Sequence, residues 1–518
     1  MPFTDIAIAV IRRHLHRSSQ EQLNALKKER LLDGSVYADS LFTAKGTLVL
    51  MARTATEKRL LLVAASGEAG AAFEGEAGSF DGIHFKIAPL TAANADALRR
   101  LFPWTAPVSL ADRRTTFGCG DRLGRATAGH LRALRRCQVA PVLAQQSMRE
   151  LTLTGRTYRN VIDDTCFLVF QAGYTEGYGA DGDHLKSIAD IEAALAAGMT
   201  MITLDLSEVM RPQAADFSDA QIAAEYAALD AGVKKAVDGS YADATFDLGQ
   251  GEKLVFPGSE ARRCAVMYTT ALDYAKKVYD FLVAKKGAGH FDLEISIDET
   301  TTPTLPTHHL FFIRELQRRQ VAIVSMAPRF IGEFQKGIDY IGNISIFRRQ
   351  FTTHCRIAQA HGDYKISVHS GSDKFSIFPI VGEATGGRFH EKTAGTSWLE
   401  AVRLAACEAP GLYRRMHAVA LNRLPDALKL YHITPDLGSI PDPERLADSE
   451  LPKLMDLNAA RQVLHVTYGY ILEVPALKAE LFALLHAAEE THEALLDRHF
   501  TRHLEGLGIP KKQAGPAT

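Results

Sequence analysis

Cysteine is scarce in this chain and forms no pattern. Six thiols, Cys119, Cys137, Cys166, Cys264, Cys355 and Cys407, are spread over 518 residues without a CxxC pair. That excludes a disulfide scaffold and a cysteine-based zinc site, and it points to a reducing compartment. A surplus of one charge is lacking too: the formal net charge of -2 offers no global field to nucleic acid or an anionic membrane. The basic run at 132–136 is expected to be the solvated face of a helix. No stretch approaches the roughly 18 apolar residues of a membrane span. The N-terminal apolar stretch precedes its Arg and His residues, the wrong order for a signal peptide, so the expected location is cytoplasmic. GxSxG, HExxH and P-loop signatures are absent, which argues against the hydrolases and NTPases that carry them. Gly118, Gly120 and Gly124 do not make a dinucleotide loop, because the last glycine falls one residue late and no acidic residue closes the next strand.

What is present is length and alternation. A chain of this size with 46% hydrophobic residues holds more than one domain, since single cores stop growing at roughly 250–300 residues. Residues 1–105 read as a small α+β module, with strand-like runs at 47–51, 59–64 and 83–87 and a Gly/Ala/Glu loop at 67–82. From 106 to 410 the pattern becomes strand, polar loop, helix, repeated. Strands are expected at 115–119, 139–144, 180–185, 201–206, 291–297, 321–325, 365–368 and 388–392, and a count of eight predicts an α/β fold closed as a (β/α)8 TIM-type barrel. The segment 207–257 exceeds a plain connection and is expected to be an insertion over one end of the barrel. Residues 411–509 read as a helical C-terminal extension and 510–518 as a disordered tail.

Three polar runs, GYGADGDHLK from Gly177, DLEISIDETTTPT from Asp292 and KISVHSGSDKF from Lys365, begin where apolar strand patterns end. Barrel enzymes gather their chemistry there, because strand ends converge on one face. With a period of two, Glu294, Ser296 and Asp298 share one face and Lys365, Ser367 and His369 the corresponding one. His184, His369 and Asp298, with Asp183 and Glu294 beside them, supply the imidazole and carboxylate mix of a divalent metal site (Zn, Mn, Ni or Co) with an acid/base nearby. His308 and His309 open the next helix, and His309 is a further candidate ligand reaching back over the mouth. On an extended backbone Asp183 and His184 point apart, so Asp183 is not expected to orient the His184 ring. Ser370 and Asp373 lie near a helix N-terminus able to hold a carboxylate or hydroxyl, and Lys392 is a candidate cation for an acidic substrate. A buried hydrogen-bonded network is the bland alternative for the whole set.

At these residues the chain resembles the tagaturonate epimerase family, whose members include tagatose 4-epimerases. The likeness rests on YTEGYGADGDHLKS, EISIDETTTPT, APRFIGEFQKGIDYIG, SVHSGSDKFSIFP and RFHEKTAGTSWLEA, in that order along the expected barrel region. It implies a metal-dependent isomerase interconverting D-tagaturonate and D-fructuronate. Asp183-His184 and His369-Ser-Gly-Ser also resemble elements of class II ketose aldolases, where the histidines bind zinc and the Asp moves a proton. The inverted carbinol is β to the ketone and its hydrogen is not acidified. The resemblance therefore leaves two routes open: retro-aldol cleavage and re-addition, or two-base exchange with Asp183 as acceptor and Glu294 as donor. A class II aldolase and a non-catalytic sugar-binding barrel are the alternatives. The expected partner is a small sugar acid or ketose, with no nucleic acid and no membrane, and a homo-oligomer is left open.

Overall fold

The computed structural model describes residues 2–14, 35–64, 70–300, 302–393 and 395–513. Runs that are apolar at nearly every position need cover on both faces, and TLVLMAR and KRLLLVA are of that kind. They form β2 (Thr47–Arg53) and β3 (Lys58–Ala64), the centre of an antiparallel sheet with β1 (Phe42–Ala44), β4 (Glu76–Phe80) and β5 (Ile83–Ala88) in the order β1-β2-β3-β5-β4. The helix Phe3–His14 covers one face through Ile6, Val10 and Ile11. The other face packs on Leu98, Cys166, Phe167 and Phe170, which belong to the helices Ala92–Leu101 and Tyr158–Gln171. The stretch 67–82, expected as loop, contains β4; a mostly polar edge strand with one covered face gives little apolar signal. Residues 67–69 lie outside the described residues.

Eight strands then close a parallel barrel: β6 (Thr116–Gly120), β7 (Ala140–Ser147), β8 (Gly179–Leu185) and β9 (Met201–Asp205), and, after a hairpin of β10 (Ala244–Asp247) and β11 (Lys253–Phe256), β12 (Asp292–Ile297), β13 (Ser325–Pro328), β14 (Lys365–Val368) and β15 (Phe389–Thr393). This is the (β/α)8 barrel that the alternation predicted. The sixth strand sits later than expected, at Ser325–Pro328, because residues 321–324 are spent turning out of the preceding helix. The floor is sealed. Leu110 N–H donates to Asp292 Oδ2 at 2.7 Å, and Lys365 Nζ donates to the carbonyls of Arg113 at 3.2 Å and Leu110 at 3.4 Å. Burial pushes the Lys365 ammonium down to about 8. The other rim is where the loops can carry chemistry.

The insertion reaches the end of the barrel only at its start, where Met210 and Pro212 meet Ile297 and Thr300. Its two helices, Asp219–Ala227 and Ala231–Ser240, pack along the long helix Gly258–Lys286, and its hairpin leans on the outer helices, with Glu252 bound to Thr353 and Arg356, and Tyr241 to Glu315 at 2.9 Å. The basic run is not simply a solvated face: Arg132 pairs with Glu490 and Glu493, and Arg136 with Asp497, all on the helix Glu489–Gly506. The tail expectation is corrected for 510–513, which are pinned by Gln138 N–H to Pro510 O and Lys512 N–H to Arg136 O, each at 2.8 Å; residues 514–518 lie outside the described residues. The six cysteines are free, and among the described residues no helix is long and apolar enough to cross a membrane.

The C-terminal helix docks on the barrel so closely that a Cβ on Gly382 would lie 2.1 Å from the Leu507 carbonyl oxygen. Gly382→Ala is therefore expected to cost about 1–3 kcal/mol through overpacking, seen as a lowered melting temperature by calorimetry. An unchanged melting temperature would show that the helix is not held there.

Candidate functional site

In-register parallel strands place inward side chains next to one another, so the polar residues of β8, β9, β12, β13 and β15 must meet inside the barrel. They meet at one ammonium. Lys392 Nζ donates to Thr203 Oγ1 at 2.6 Å, Asp183 Oδ1 at 2.7 Å, Asp181 Oδ2 at 2.8 Å and Glu294 Oε1 at 2.9 Å. Ser325 Oγ donates to Glu294 Oε2 at 2.5 Å. Gly118 leaves the pleat beside Lys392 empty, and the Gln145 amide fills it: a Cβ on Gly118 would fall 1.8 Å from Gln145 Oε1. Its glycine serves packing.

Two imidazoles stand above this layer. The backbone of His184 is left-handed, with φ 56°, and the register between β8 and β9 shifts at this point. The turn overrides the strand rule and swings the two neighbouring side chains together, so His184 Nδ1–H donates to Asp183 Oδ1 at 2.8 Å. Asp183 does orient the ring, against the expectation from an extended chain. His369 is held likewise, its Nε2–H donating to Glu294 Oε1 at 2.7 Å. The remaining ring nitrogens face Asp298: His184 Nε2 is 3.6 Å from Oδ1 and His369 Nδ1 is 3.2 Å from Oδ2. One ligand atom from each of His184, Asp298 and His369 lies within 4.8 Å of the others. Both of those buried nitrogens lack a hydrogen bond, as free ligand atoms would.

Electrostatics follow from crowding. Burial pushes the Asp183 and Glu294 carboxyls up, but Lys392 and the imidazoles more than offset it and hold both well below the usual carboxylate range. Asp181, farther from the rings, is pushed up to about 6 by burial and by its carboxylate neighbours against the pull of Lys392. Burial depresses His184 and His369, and their carboxylate partners raise both above the ordinary imidazole value.

Above the rings opens a cavity of about 490 Å³, walled by Asp298, Glu299, Arg329, Lys336, His369 and Ser370 and by Arg149 and Tyr431 from the far side. The structure thus gathers Asp183, His184, Glu294, Asp298, His369, Ser370 and Lys392 around one mouth. Four expectations need correction. His309 is buried between helices, bound to His354 Nδ1 at 2.9 Å and Tyr364 OH at 2.6 Å, and burial holds it well below its usual value; a residue one turn into a helix faces the core, not the mouth. His308 is likewise taken by Glu260 at 2.9 Å. Asp373 turns away to Arg461 at 2.6 Å, lining a separate cavity under the C-terminal helices. Lys392 is consumed by three carboxylates and is no free cation for a substrate. Glu294, with both oxygens engaged, positions His369 and is no proton donor to a ligand. Asp181, Thr203, Ser325, Arg149, Arg329 and Lys336 were not singled out in the sequence. Asp181 was findable, two residues before Asp183 on the same face; the cavity cations lie on loops without periodicity.

The family model for tagaturonate epimerase matches residues 37–507. A tagaturonate/fructuronate epimerase of Thermotoga maritima is 40% identical over 427 residues, 82% of this chain and 87% of that protein. The crystal structure of the fructuronate-tagaturonate epimerase of Cohnella laeviribosi with one glycerol superposes with a TM-score of 0.88 at 43% identity, covering 95% of this chain and 100% of that one. The same enzyme with two glycerols gives 0.87 at 44% identity, covering 92% and 96%.

Removing the central ammonium should be felt as instability. Lys392→Met strands three buried carboxylates, at an expected cost of about 3–5 kcal/mol, measured as a lowered denaturant midpoint. A variant of wild-type stability would show that Lys392 does not hold the mouth together.

Proposed function

Because the chain belongs to the tagaturonate epimerase family and is an isomerase, we propose that it interconverts D-tagaturonate and D-fructuronate at a divalent metal held by His184, His369 and Asp298. The observation that carries the metal is the pair of imidazoles, each fixed by a carboxylate on one nitrogen and presenting the other, unbonded, to Asp298. Carboxylates behind metal-binding imidazoles set the tautomer and raise ligand basicity. Charge balance agrees with this. Asp181, Asp183, Glu294 and Asp298 face one ammonium, Lys392, within the cluster, and a dication offsets two of the three uncompensated negative charges while leaving both imidazoles neutral. A two-imidazole, one-carboxylate set suits Zn²⁺, Mn²⁺, Ni²⁺ or Co²⁺ better than Mg²⁺. The free cysteines support a cytoplasmic setting.

When bound, the ion supplies Lewis-acid polarisation of substrate oxygens. The protein's own groups do the rest. Two-base exchange at the inverted carbon needs two free groups on opposite faces, and Glu294 is occupied by His369, Lys392 and Ser325. Asp183 remains, held through Oδ1 by His184 and Lys392 and 6% exposed. We assign it the hydroxyl proton of the inverted carbinol. Loss of that proton turns the carbinol into an aldehyde as the bond to the neighbouring carbon breaks and its electron pair passes to the ketone, leaving an enediolate; rotation of the aldehyde and re-addition of the enediolate to its other face invert the centre, and Asp183 returns the proton. The walls of the cavity keep the two fragments together, which separates an epimerase from an aldolase.

Chelator-treated enzyme should lose activity and regain it with Zn²⁺, Mn²⁺, Ni²⁺ or Co²⁺; His184→Ala and His369→Ala should lose one equivalent of metal by elemental analysis with circular dichroism unchanged. Stoichiometric metal in both variants would remove the ligand assignment. Glu294→Gln should weaken metal affinity about 10- to 100-fold, as loss of a carboxylate behind a ligand does.

Asp183→Asn should lower turnover by about 10² to 10⁴. In D₂O the inverted carbon should keep its protium and show a ¹³C isotope effect; deuterium appearing at that carbon would sink the cleavage route and leave the metal site standing.

A further inference from the structure

Buried ammonium groups need partners, since an uncompensated charge away from water is costly. The lysines at the rim, Lys392 and Lys374 buried and Lys336 half-buried, differ in how they meet this. Lys392 has three carboxylates. Lys374 donates to the carbonyls of Gln335, Ser372 and Ile338 at 2.9, 3.0 and 2.5 Å. Lys336 has one neutral hydroxyl, Ser370 Oγ at 2.7 Å, and among the described residues no carboxylate within ion-pair distance. Burial lowers the Lys336 pKa, as it does for a cation whose counter-charge is missing.

The position of this pair is informative. Lys336 lies on the loop after β13, between Gly332 and Gly337, whose φ of 88° and 77° fold the loop back over the mouth. Ser370 follows His369 directly and is itself left-handed at φ 50°, a conformation that a serine holds only where its surroundings enforce it. Because Ser370 Oγ accepts from Lys336, its own proton is left to donate. Ammonium and hydroxyl side by side thus offer one donor to each oxygen of a carboxylate. The other cations of the cavity are placed differently: Arg329 is held by the carbonyls of Thr300 and Asp298, and Arg149 is an exposed side chain lying over Tyr431 and bound to Leu430 O at 3.2 Å.

We infer that Lys336 and Ser370 form a carboxylate subsite, which makes the enzyme select sugar acids over neutral ketoses. This rests on the epimerase reading above, and it fits the substrate's connectivity. The carboxylate of a tagaturonate is two bonds from the carbon that inverts, so its anchor must lie beside the reacting centre, and Ser370 is the residue next to His369.

The test compares Lys336→Met, Lys336→Arg and Ser370→Ala with wild type, by equilibrium titration of the metal-loaded proteins with D-tagaturonate and D-tagatose, alongside epimerisation assays and metal content. Lys336→Met should bind tagaturonate about 30-fold to a few thousand-fold more weakly, as expected for truncating one member of a desolvated charge pair, with the loss in KM and with tagatose binding and metal content unchanged. Lys336→Arg should recover most of the affinity, and Ser370→Ala should weaken the acid alone by about ten-fold, the scale of one hydrogen bond to a charged group. Equal losses on both sugars, or a wild type that binds tagaturonate no more tightly than tagatose, would overturn the subsite. An enzyme that binds tagaturonate through Lys336 yet leaves it unchanged would defeat the epimerase reading and uphold the subsite.

Discussion

One ammonium sets the terms for the mouth of this barrel. Lys392 enters from the last strand and draws Asp181 and Asp183 of β8 and Glu294 of β12 to a single point. Each of the latter two then fixes an imidazole, Asp183 that of His184 and Glu294 that of His369. Strands from opposite sides of the barrel are thereby bound to one charge, and ring orientation follows from it. Such a cluster contributes little net stability over an apolar core of equal volume. What it contributes is geometry, because buried charges tolerate few arrangements.

The C-terminal helices are part of the same construction. Arg461 donates to Gly337 O at 2.8 Å and to Asp373 at 2.6 Å, tying together the loop that carries Lys336 and the loop that carries His369 and Ser370. His503 takes the Asp373 N–H at 2.9 Å from the last helix. Asp373, offered by the sequence as a substrate contact, instead anchors the loop from behind. The cavity also takes Leu430, Tyr431 and His432 from this region as wall. Loops on a barrel rim are mobile unless something holds them, and here the extension holds two of them.

The fold was legible because its signal is periodic. Eight apolar strands alternating with amphipathic helices fix a closed barrel, and period two within DLEISID and KISVHS places Glu294, Asp298 and His369 inward. Legibility ended where local rules are overridden. The left-handed turn at His184 reversed the expected relation to Asp183, and helical phase took His309 into the core, although adjacency in sequence suggested the mouth. Lys392 was read as a cation for an acidic substrate, but whether it pairs inside or faces a ligand depends on the distance across the barrel, which no single strand contains. Lys336 escaped notice for the opposite reason. It lies on an irregular loop, and its lack of an ion-pair partner among the described residues is a tertiary fact.

Strain falls partly on the same places. Of the nine non-glycine residues with left-handed backbones among the described residues, His184, Ser370 and Asp373, at φ 56°, 50° and 63°, border the mouth or its supporting loop. Each such conformation costs on the order of 1–3 kcal/mol and persists only where its side chain has somewhere specific to go. His184 goes to Asp183, Ser370 to Lys336 and Asp373 to Arg461. The first of these bonds sets a candidate metal ligand, the second the proposed carboxylate anchor, and the third the tether to the C-terminal helices. A sugar acid gripped at both ends needs its two anchors at a fixed spacing, and a loop free to relax into ordinary backbone geometry would not keep it. The strain at Ser370 is therefore tied to the helices that hold Asp373, and the docking of those helices on the barrel is a condition for substrate geometry as well as for stability.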